Sequence, residues 1–274
     1  MIGGSEVTDW IMGNECITLQ EGAFLQELFN RLYDKRDWCA VDGSLHRLKG
    51  FIAALAVRAG FLMKNGDAGI LLNRKKNRLL LNSGLLDVYC NDILLVFEVE
   101  DSGRLHSPAI VGSRKSLIHQ GFSGECLKEA LAPVNFFDKK SDLILMASIE
   151  EFDLEDEQRL FHILEERLYR FPEWARQHGV LFLYSQLKSS LEFALRMCRR
   201  DYKYASAMYN LRRNRIQFLL PYYLRADFLH PPELAMIIDR DRGYHLIKTV
   251  IPIDEAYGNS LVLSNVASWL QTNS

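Results

Sequence analysis

Cysteine is scarce in this sequence, and its few cysteines form no pattern that would hold a metal. The five thiols are widely separated, and no two of them have the C-x-x-C spacing of zinc sites and redox motifs. The sequence therefore predicts no metal site, and a chain of this length needs no disulfide to fold. The cysteines are Cys16, Cys39, Cys90, Cys126 and Cys198.

Long apolar runs and targeting signals are absent as well. No apolar run approaches the 18 positions that indicate a membrane-spanning helix. The amino-terminal residues do not have the charged and apolar regions of a secretory signal peptide. We therefore predict a cytoplasmic protein with no membrane partner, since free thiols suit a reducing compartment.

Local catalytic signatures are also lacking. The sequence contains no G-x-S-x-G, no phosphate-binding P-loop, no G-x-G-x-x-G and no H-E-x-x-H. We predict no cofactor on this basis. An enzyme on a small metabolite remains an open alternative, because active sites assemble from residues that are distant in sequence.

The order of the predicted elements indicates an α+β fold. Two helical patterns come first, then a hairpin over residues 68–82 and a strand over Ile93–Glu100. A long loop is predicted over residues 101–124, a helix over 155–170 and a longer helix over 179–200. Three further strands and a last helix follow, which predicts helices packed on a mainly antiparallel or mixed sheet.

The domain organisation is predicted to be simple. We find no internal repeat and no low-complexity linker, so residues 21–274 are expected to form a single α+β domain. Residues 1–20 are expected to be an amino-terminal segment that is partly mobile, as chain termini often are.

Charge is distributed unevenly, although the formal net charge is only −2. Residues 150–166 contain eight acidic residues and one basic residue, whereas residues 196–215 contain seven basic residues and one acidic residue. The basic run is interleaved with tyrosines at 202, 204 and 209. Cations that neutralise phosphates and aromatic rings that stack on bases are typical of single-strand binders. The alternative is a solvated helix face whose tyrosines pack inward. The cations that we expect to contact a ligand are Arg199, Arg200, Lys203 and Arg213.

Polar turns supply a second group of candidate residues. Asn82, with Gly84 beside it in a predicted tight turn over 82–85, and Asn259, close to Tyr257, are candidate ligand-binding residues, because an amide both donates and accepts hydrogen bonds. Asparagine in a turn also bonds to its own backbone, which is the structural alternative.

Two charged residues of the predicted 155–170 helix complete the candidate site. Arg170 is a candidate anion ligand, and its alternative role is to cap carbonyls at the helix end. His162 is a weak candidate for a catalytic acid or base, since a lone helical histidine is usually structural.

Several runs, taken in order, resemble a bacterial family, domain-of-unknown-function family 3825. They include the turn Asn-Ser-Gly-Leu at 82–85, the helix ending His162-Ile…Arg170-Phe-Pro, and the Leu-Leu-Pro strand at 219–221. The run Ala-Tyr-Gly-Asn-Ser-Leu at 256–261 and the pair Trp269-Leu270 follow. The chain departs from the family at Leu261, where the family has arginine.

The resemblance implies a role with nucleic acid, because some family members are joined to RNA-binding modules. The predicted function is therefore a nucleotide- or RNA-binding domain, whose partner is a nucleotide or single-stranded RNA, and action on a phosphoester is an open alternative. The alternative function is a non-catalytic protein-interaction or assembly subunit, with a protein partner or a homo-oligomer; the missing arginine at Leu261 favours it.

Overall fold

The coordinates come from a computed structural model. It describes residues 21–35, 37–40, 42–65, 70–111, 114–123, 131–137, 139–145, 147, 149–152, 157–225, 227–228, 230–241, 244–263 and 268–270. The predicted mobile segment, residues 1–20, lies outside these residues. The α+β fold is confirmed, with two antiparallel four-stranded sheets.

The chain divides into two compact units, which are described separately. The first consists of residues 1–136 and 211–214, and the second of residues 137–210 and 215–274. The elements of the first unit are the helices α1 (Glu21–Arg31), α2 (His46–Asn65) and α3 (Arg114–His119), and the strands β1 (Ile70–Asn73), β2 (Arg78–Leu86), β3 (Asp92–Val99) and β4 (Leu105–Ile110). Its strands form an antiparallel meander in the order β1-β2-β3-β4.

The predicted hairpin over 68–82 is confirmed as β1 and β2. Asn73 pairs with Arg78 across a four-residue turn, and the last residue of that turn, Asn77, has a φ of 48°. Asparagine tolerates this left-handed conformation better than most residues. The Oδ1 atom of Asn73 accepts the backbone N–H groups of Lys75 and Lys76 at 3.1 and 3.3 Å, which organises the turn.

The predicted tight turn over 82–85 is wrong, because strand β2 continues through it. The pairing of β2 with β3 becomes irregular between Asn82 and Leu86, which is the signature of a bulge. Ser83 donates its hydroxyl to the carbonyl of Ile93 at 2.6 Å, so that a polar side chain secures the irregular stretch. Gly84 has a φ of 75°, which glycine adopts without strain.

The predicted loop over 101–124 is also wrong. Strand β4 occupies Leu105–Ile110, and helix α3 follows at Arg114–His119. Leu117 of α3 and Phe122 are buried against Leu80 and Val96 of the sheet, so this segment contributes to the core.

The second unit contains the other half of the elements. Its helices are α4 (Glu157–Glu166), α5 (Glu173–Arg176), α6 (Gly179–Arg200) and α7 (Ile253–Leu261), and its strands are β5 (Ser206–Asn210), β6 (Arg215–Tyr222), β7 (Leu234–Asp241) and β8 (Tyr244–Pro252). These strands form a second antiparallel meander, in the order β5-β6-β7-β8. In each unit a long helix, α2 or α6, immediately precedes the meander.

Helix α6 packs on one face of the second sheet. Leu183, Leu187 and Leu191 recur every four residues and therefore form one apolar stripe. They belong to a buried cluster that includes Leu220 of β6 and Met236 of β7. The stripe fixes which residues of α6 face solvent, including the basic residues of its last turns.

A buried ion pair links β6 and β7 within the second unit. The Nη2 atom of Arg215 lies 2.5 Å from the Oδ2 atom of Asp239. The Asp239 side chain is fully buried, whereas that of Arg215 is 35% exposed. A buried carboxylate of this kind depends on its cationic partner, because isolated charges are costly to remove from water.

Candidate functional site

Exposed cations and one exposed aromatic ring follow one another in sequence at the carboxyl end of α6. Arg196, Arg199 and Arg200 belong to the last turns of the helix, and Tyr202 and Lys203 follow it; all five side chains face solvent. We call these five residues the α6 basic surface. Residues three and four positions apart share one side of a helix, so Arg196 neighbours both other arginines. Cations at this end of a helix also interact favourably with its dipole.

The one acidic residue of this stretch holds the turn in shape. Asp201 accepts the backbone N–H of Lys203 on its Oδ1 atom at 2.9 Å, and its own N–H bonds to the carbonyl of Met197. The Lys203 Nζ atom lies 5.8 Å from the centroid of the Tyr202 ring. The cation and the ring therefore lie within reach of a single nucleotide.

The three interleaved tyrosines have different environments. Tyr202 is 55% exposed, whereas Tyr209 is buried in β5 and Tyr204 is half-buried. The hydroxyls of Tyr204 and Tyr223 lie 3.2 Å apart, and burial raises the pKa of Tyr204. Only Tyr202 therefore offers its ring to solvent, and the other two pack inward as in the alternative interpretation.

The basic run does not form one helix face. Strand β5 separates the end of α6 from Arg213, which lies in the turn between β5 and β6. Arg213 is exposed there. The seven cations of the run consequently belong to a helix terminus and to a hairpin, two different structural settings.

A second polar cluster lies beside helix α7. Arg170 donates from Nη1 to the carbonyl of Val250 in β8 at 2.7 Å and from Nε to the hydroxyl of Tyr169 at 3.1 Å. Its Nη2 atom lies 3.9 Å from Oε2 of Glu255, and both side chains are about 15% exposed. Arg170 therefore bonds to a strand 80 residues away, in addition to lying at the end of a short 3₁₀ helix.

Asn259 follows Glu255 by one helical turn, so the two side chains share one side of α7. The Nδ2 atom of Asn259 is buried and has no hydrogen-bond partner among the described residues. Tyr257, two positions from each, is half-buried. Arg170 thus lies beside Glu255, and one helical turn further on Asn259 has a buried donor that an acceptor atom of a ligand would satisfy.

Glu255 was not a predicted site residue. Burial raises the pKa of its carboxyl, and the nearby guanidinium groups of Arg170 and Arg167 oppose that shift. The sequence contained one signal for it: Glu255 lies four residues before Asn259 near the start of the last predicted helix, so both side chains are expected on one side of that helix.

The predicted residues Asn82 and Gly84 belong to the first unit. Asn82 is fully buried; its amide donates to the carbonyl of Leu131 at 2.8 Å and accepts the N–H of Gly84 at 2.9 Å. A Cβ atom on Gly84 would lie 3.5 Å from Pro133. These contacts support the structural interpretation of the asparagine, which secures the β2 bulge.

His162 is far more exposed than a typical acid or base. Its side chain is 69% exposed, and its Nε2 atom lies 3.1 Å from Glu166 on the next turn of α4. In the described part of the chain, no group of three histidine, cysteine or carboxylate side chains is arranged to hold a metal. None of the helices described there is long and apolar enough to cross a membrane.

One family matches this sequence over most of its length. The family's sequence profile, described as Domain of unknown function (DUF3825), covers residues 51–269. The chain belongs to this family. The DUF3825 region begins inside α2 and ends at Trp269, so it contains both sheets and all the candidate residues. No curated protein and no solved structure gives a significant match.

The carboxyl of Glu255 gives the DUF3825 region a testable pH dependence. Because burial raises the folded-state pKa above the unfolded value, the folded state binds the proton more tightly. This contribution to stability is fully present below the unfolded pKa of about 4.5 and is lost as the pH rises through the folded pKa. Replacing Glu255 by glutamine should therefore flatten the fall in stability above pH 4.5.

Urea unfolding at a series of pH values between 4 and 8 measures this effect. Glu192→Gln, at an exposed position of α6, is the matched control and should leave the pH profile unchanged. Profiles of the same slope for Glu255→Gln and the unmodified protein would show that the carboxyl titrates alike in the folded and unfolded states.

Proposed function

We propose that this protein binds single-stranded RNA through the α6 basic surface. The observation that carries the proposal is the exposed ring of Tyr202 among four exposed cations. Asp201, the acidic residue within that stretch, accepts the backbone N–H of Lys203 in the turn, and its single negative charge against four cations leaves the stretch net positive.

Both parts of the surface have a role in such binding. Guanidinium and ammonium groups neutralise phosphates and release their counterions, which favours association at low salt. An exposed tyrosine ring stacks on any base, which gives affinity without sequence preference.

RNA binding can be tested by its salt dependence. A fluorescently labelled single strand of about twelve uridines is suitable, because single-strand sites span roughly 4 to 16 nucleotides. The four cations of the α6 basic surface should contribute about −3 to the slope of log K against log salt. Fluorescence anisotropy between 50 and 300 mM KCl measures the slope, and an affinity that is insensitive to salt contradicts the proposal.

A protein-interaction role is the second candidate, and an exposed apolar patch favours it. Tyr33, Leu86, Val88 and Tyr89 are 64, 42, 51 and 82% exposed. Backbone hydrogen bonds join their segments, from Tyr33 to Leu86 and from Val88 to Arg31. Light scattering on the same samples separates the candidates: a stable dimer without RNA binding favours assembly over the first proposal.

A further inference from the structure

The chain contains the same basic hairpin twice, contrary to the expectation that it has no internal repeat. Residues 73–78 read Asn-Arg-Lys-Lys-Asn-Arg, and residues 210–215 read Asn-Leu-Arg-Arg-Asn-Arg. In both, two asparagines enclose three residues of which the last two are cations, and an arginine follows; the first copy has a third cation, Arg74.

The two hairpins have the same geometry. Each joins the first and second strands of a four-stranded antiparallel meander. Asn73 pairs with Arg78, and Asn210 pairs with Arg215, so each turn contains four residues. The last turn residues, Asn77 and Asn214, have φ angles of 48° and 49°.

The repeat extends beyond the turns. Residues 93–100 and 234–241 are both apolar runs with two acids near the end, Glu98 and Glu100 in one and Asp239 and Asp241 in the other. The registers differ, since Arg78 lies directly opposite Glu98 whereas Asp239 lies two positions from the residue opposite Arg215. The arginine that follows each turn forms an ion pair with the first of these acids, Arg78 with Glu98 and Arg215 with Asp239. A long helix precedes each meander, so the repeated unit is a helix followed by four strands.

The turn asparagines have a structural reason to be present in both copies. The amide of Asn73 organises its turn by accepting two backbone N–H groups. Asn77 and Asn214 occupy the left-handed conformation that asparagine tolerates.

The cations differ from the asparagines, because Lys75, Lys76, Arg212 and Arg213 are all exposed at the tips. Protection of sheet edges does not explain them, since edge strands are protected by charges on the strand itself. The strands β1 and β5, which border the two sheets, contain no lysine or arginine. The pair is lysine in one copy and arginine in the other, so the positive charge is the same in both copies although the side chains have different shapes.

We propose that each hairpin tip is a phosphate-contact site for single-stranded RNA, the pair Lys75 and Lys76 in one copy and the pair Arg212 and Arg213 in the other. The proposal rests on the RNA-binding function proposed above and adds two equivalent sites to the α6 basic surface. Exposed ammonium and guanidinium groups act here as point charges against the RNA backbone, so the sites read no sequence.

The test compares four variants of the full chain in the anisotropy assay described above. Lys75→Ala with Lys76→Ala, and Arg212→Ala with Arg213→Ala, each remove two contacts and should each reduce the magnitude of the salt slope by about 1.4. Combining all four substitutions should double that reduction. Lys75→Arg with Lys76→Arg, which copies the second hairpin, should bind as the unmodified protein does.

Lys139→Ala with Lys140→Ala is the matched control, since it removes an exposed cation pair from another part of the surface. If both tip variants behave like this control, the tips make no contact, while loss of binding on neutralising α6 still supports the proposed function. An effect from one pair alone contradicts the equivalence of the copies. If the tip variants weaken binding and neutralising the α6 basic surface does not, the tips contact RNA and the α6 basic surface does not. An unmodified protein that does not bind refutes both proposals.

Discussion

Replacing Arg215 by methionine is expected to lower the free energy of unfolding by about 3–5 kcal/mol, the usual cost of leaving a buried charge uncompensated. Its partner Asp239 is fully buried between strands of the second sheet, where water cannot solvate the carboxylate. Methionine preserves most of the volume of the side chain, so the loss reports on charge rather than on a cavity.

The internal repeat supplies a matched control for this substitution. Arg78, the arginine that follows the other turn, pairs with Glu98 at 3.6 Å, and the two side chains are 27 and 47% exposed. Arg78→Met should therefore cost less than about 1 kcal/mol, as exposed ion pairs do. Urea unfolding measures both variants, and equal losses would contradict the argument from burial.

A double substitution separates the ion pair from other effects at this position. Arg215→Met combined with Asp239→Leu removes both charges, and should recover most of the stability that Arg215→Met loses. If the double variant is instead less stable than the single one, the carboxylate contributes through contacts other than its ion pair.

Neutralising the α6 basic surface is expected to weaken RNA binding by about 100-fold or more at 100 mM salt. The change is alanine at Arg196, Arg199, Arg200 and Lys203. Because four phosphate contacts are removed together, the magnitude of the salt slope should decrease almost to the value that the remaining contacts produce. These side chains are exposed, which leaves the apolar stripe of α6 intact.

Tyr202→Ala is the companion variant, because it removes the ring and keeps every charge. Its loss should be about 1–3 kcal/mol, the range for stacking of one base on an aromatic ring, with an unchanged salt slope. Anisotropy titrations at several salt concentrations distinguish the two variants. Four alanines without effect would exclude the α6 basic surface as the RNA interface.

Elements with a strong local period could be predicted from the sequence. The helix over 179–200 is confirmed with the expected bounds, since its leucines recur every four residues and glycine and basic residues mark its ends. The hairpin over 68–82 and the strand Ile93–Glu100, observed as Asp92–Val99, are also confirmed. In each of these segments, the residues that fix the structure are close neighbours in sequence.

Elements that depend on distant contacts were missed. Strand β4 reads Leu-His-Ser-Pro-Ala-Ile, which has neither a clear alternation nor a proline-free run. It lies at the border of its sheet, where a proline is tolerated because the missing donor is not needed. Its pairing with β3 therefore stabilises a strand that the local pattern does not predict.

The candidate sites show the same division. The exposed cations after α6 could be located from sequence, because a charged helix end is a local feature. The contact of Arg170 with Val250 could not, since it joins residues 80 positions apart. Neither could the burial of Glu255, because the environment of a carboxyl is set by the packing around it.

The repeated helix and meander imply a history for this protein. A tandem duplication within an ancestral gene would produce two copies that were at first identical, and each could then change while the other preserved the original role. The two copies now differ in this ion pair, because Asp239 is fully buried beside Arg215 whereas Glu98 is 47% exposed beside Arg78.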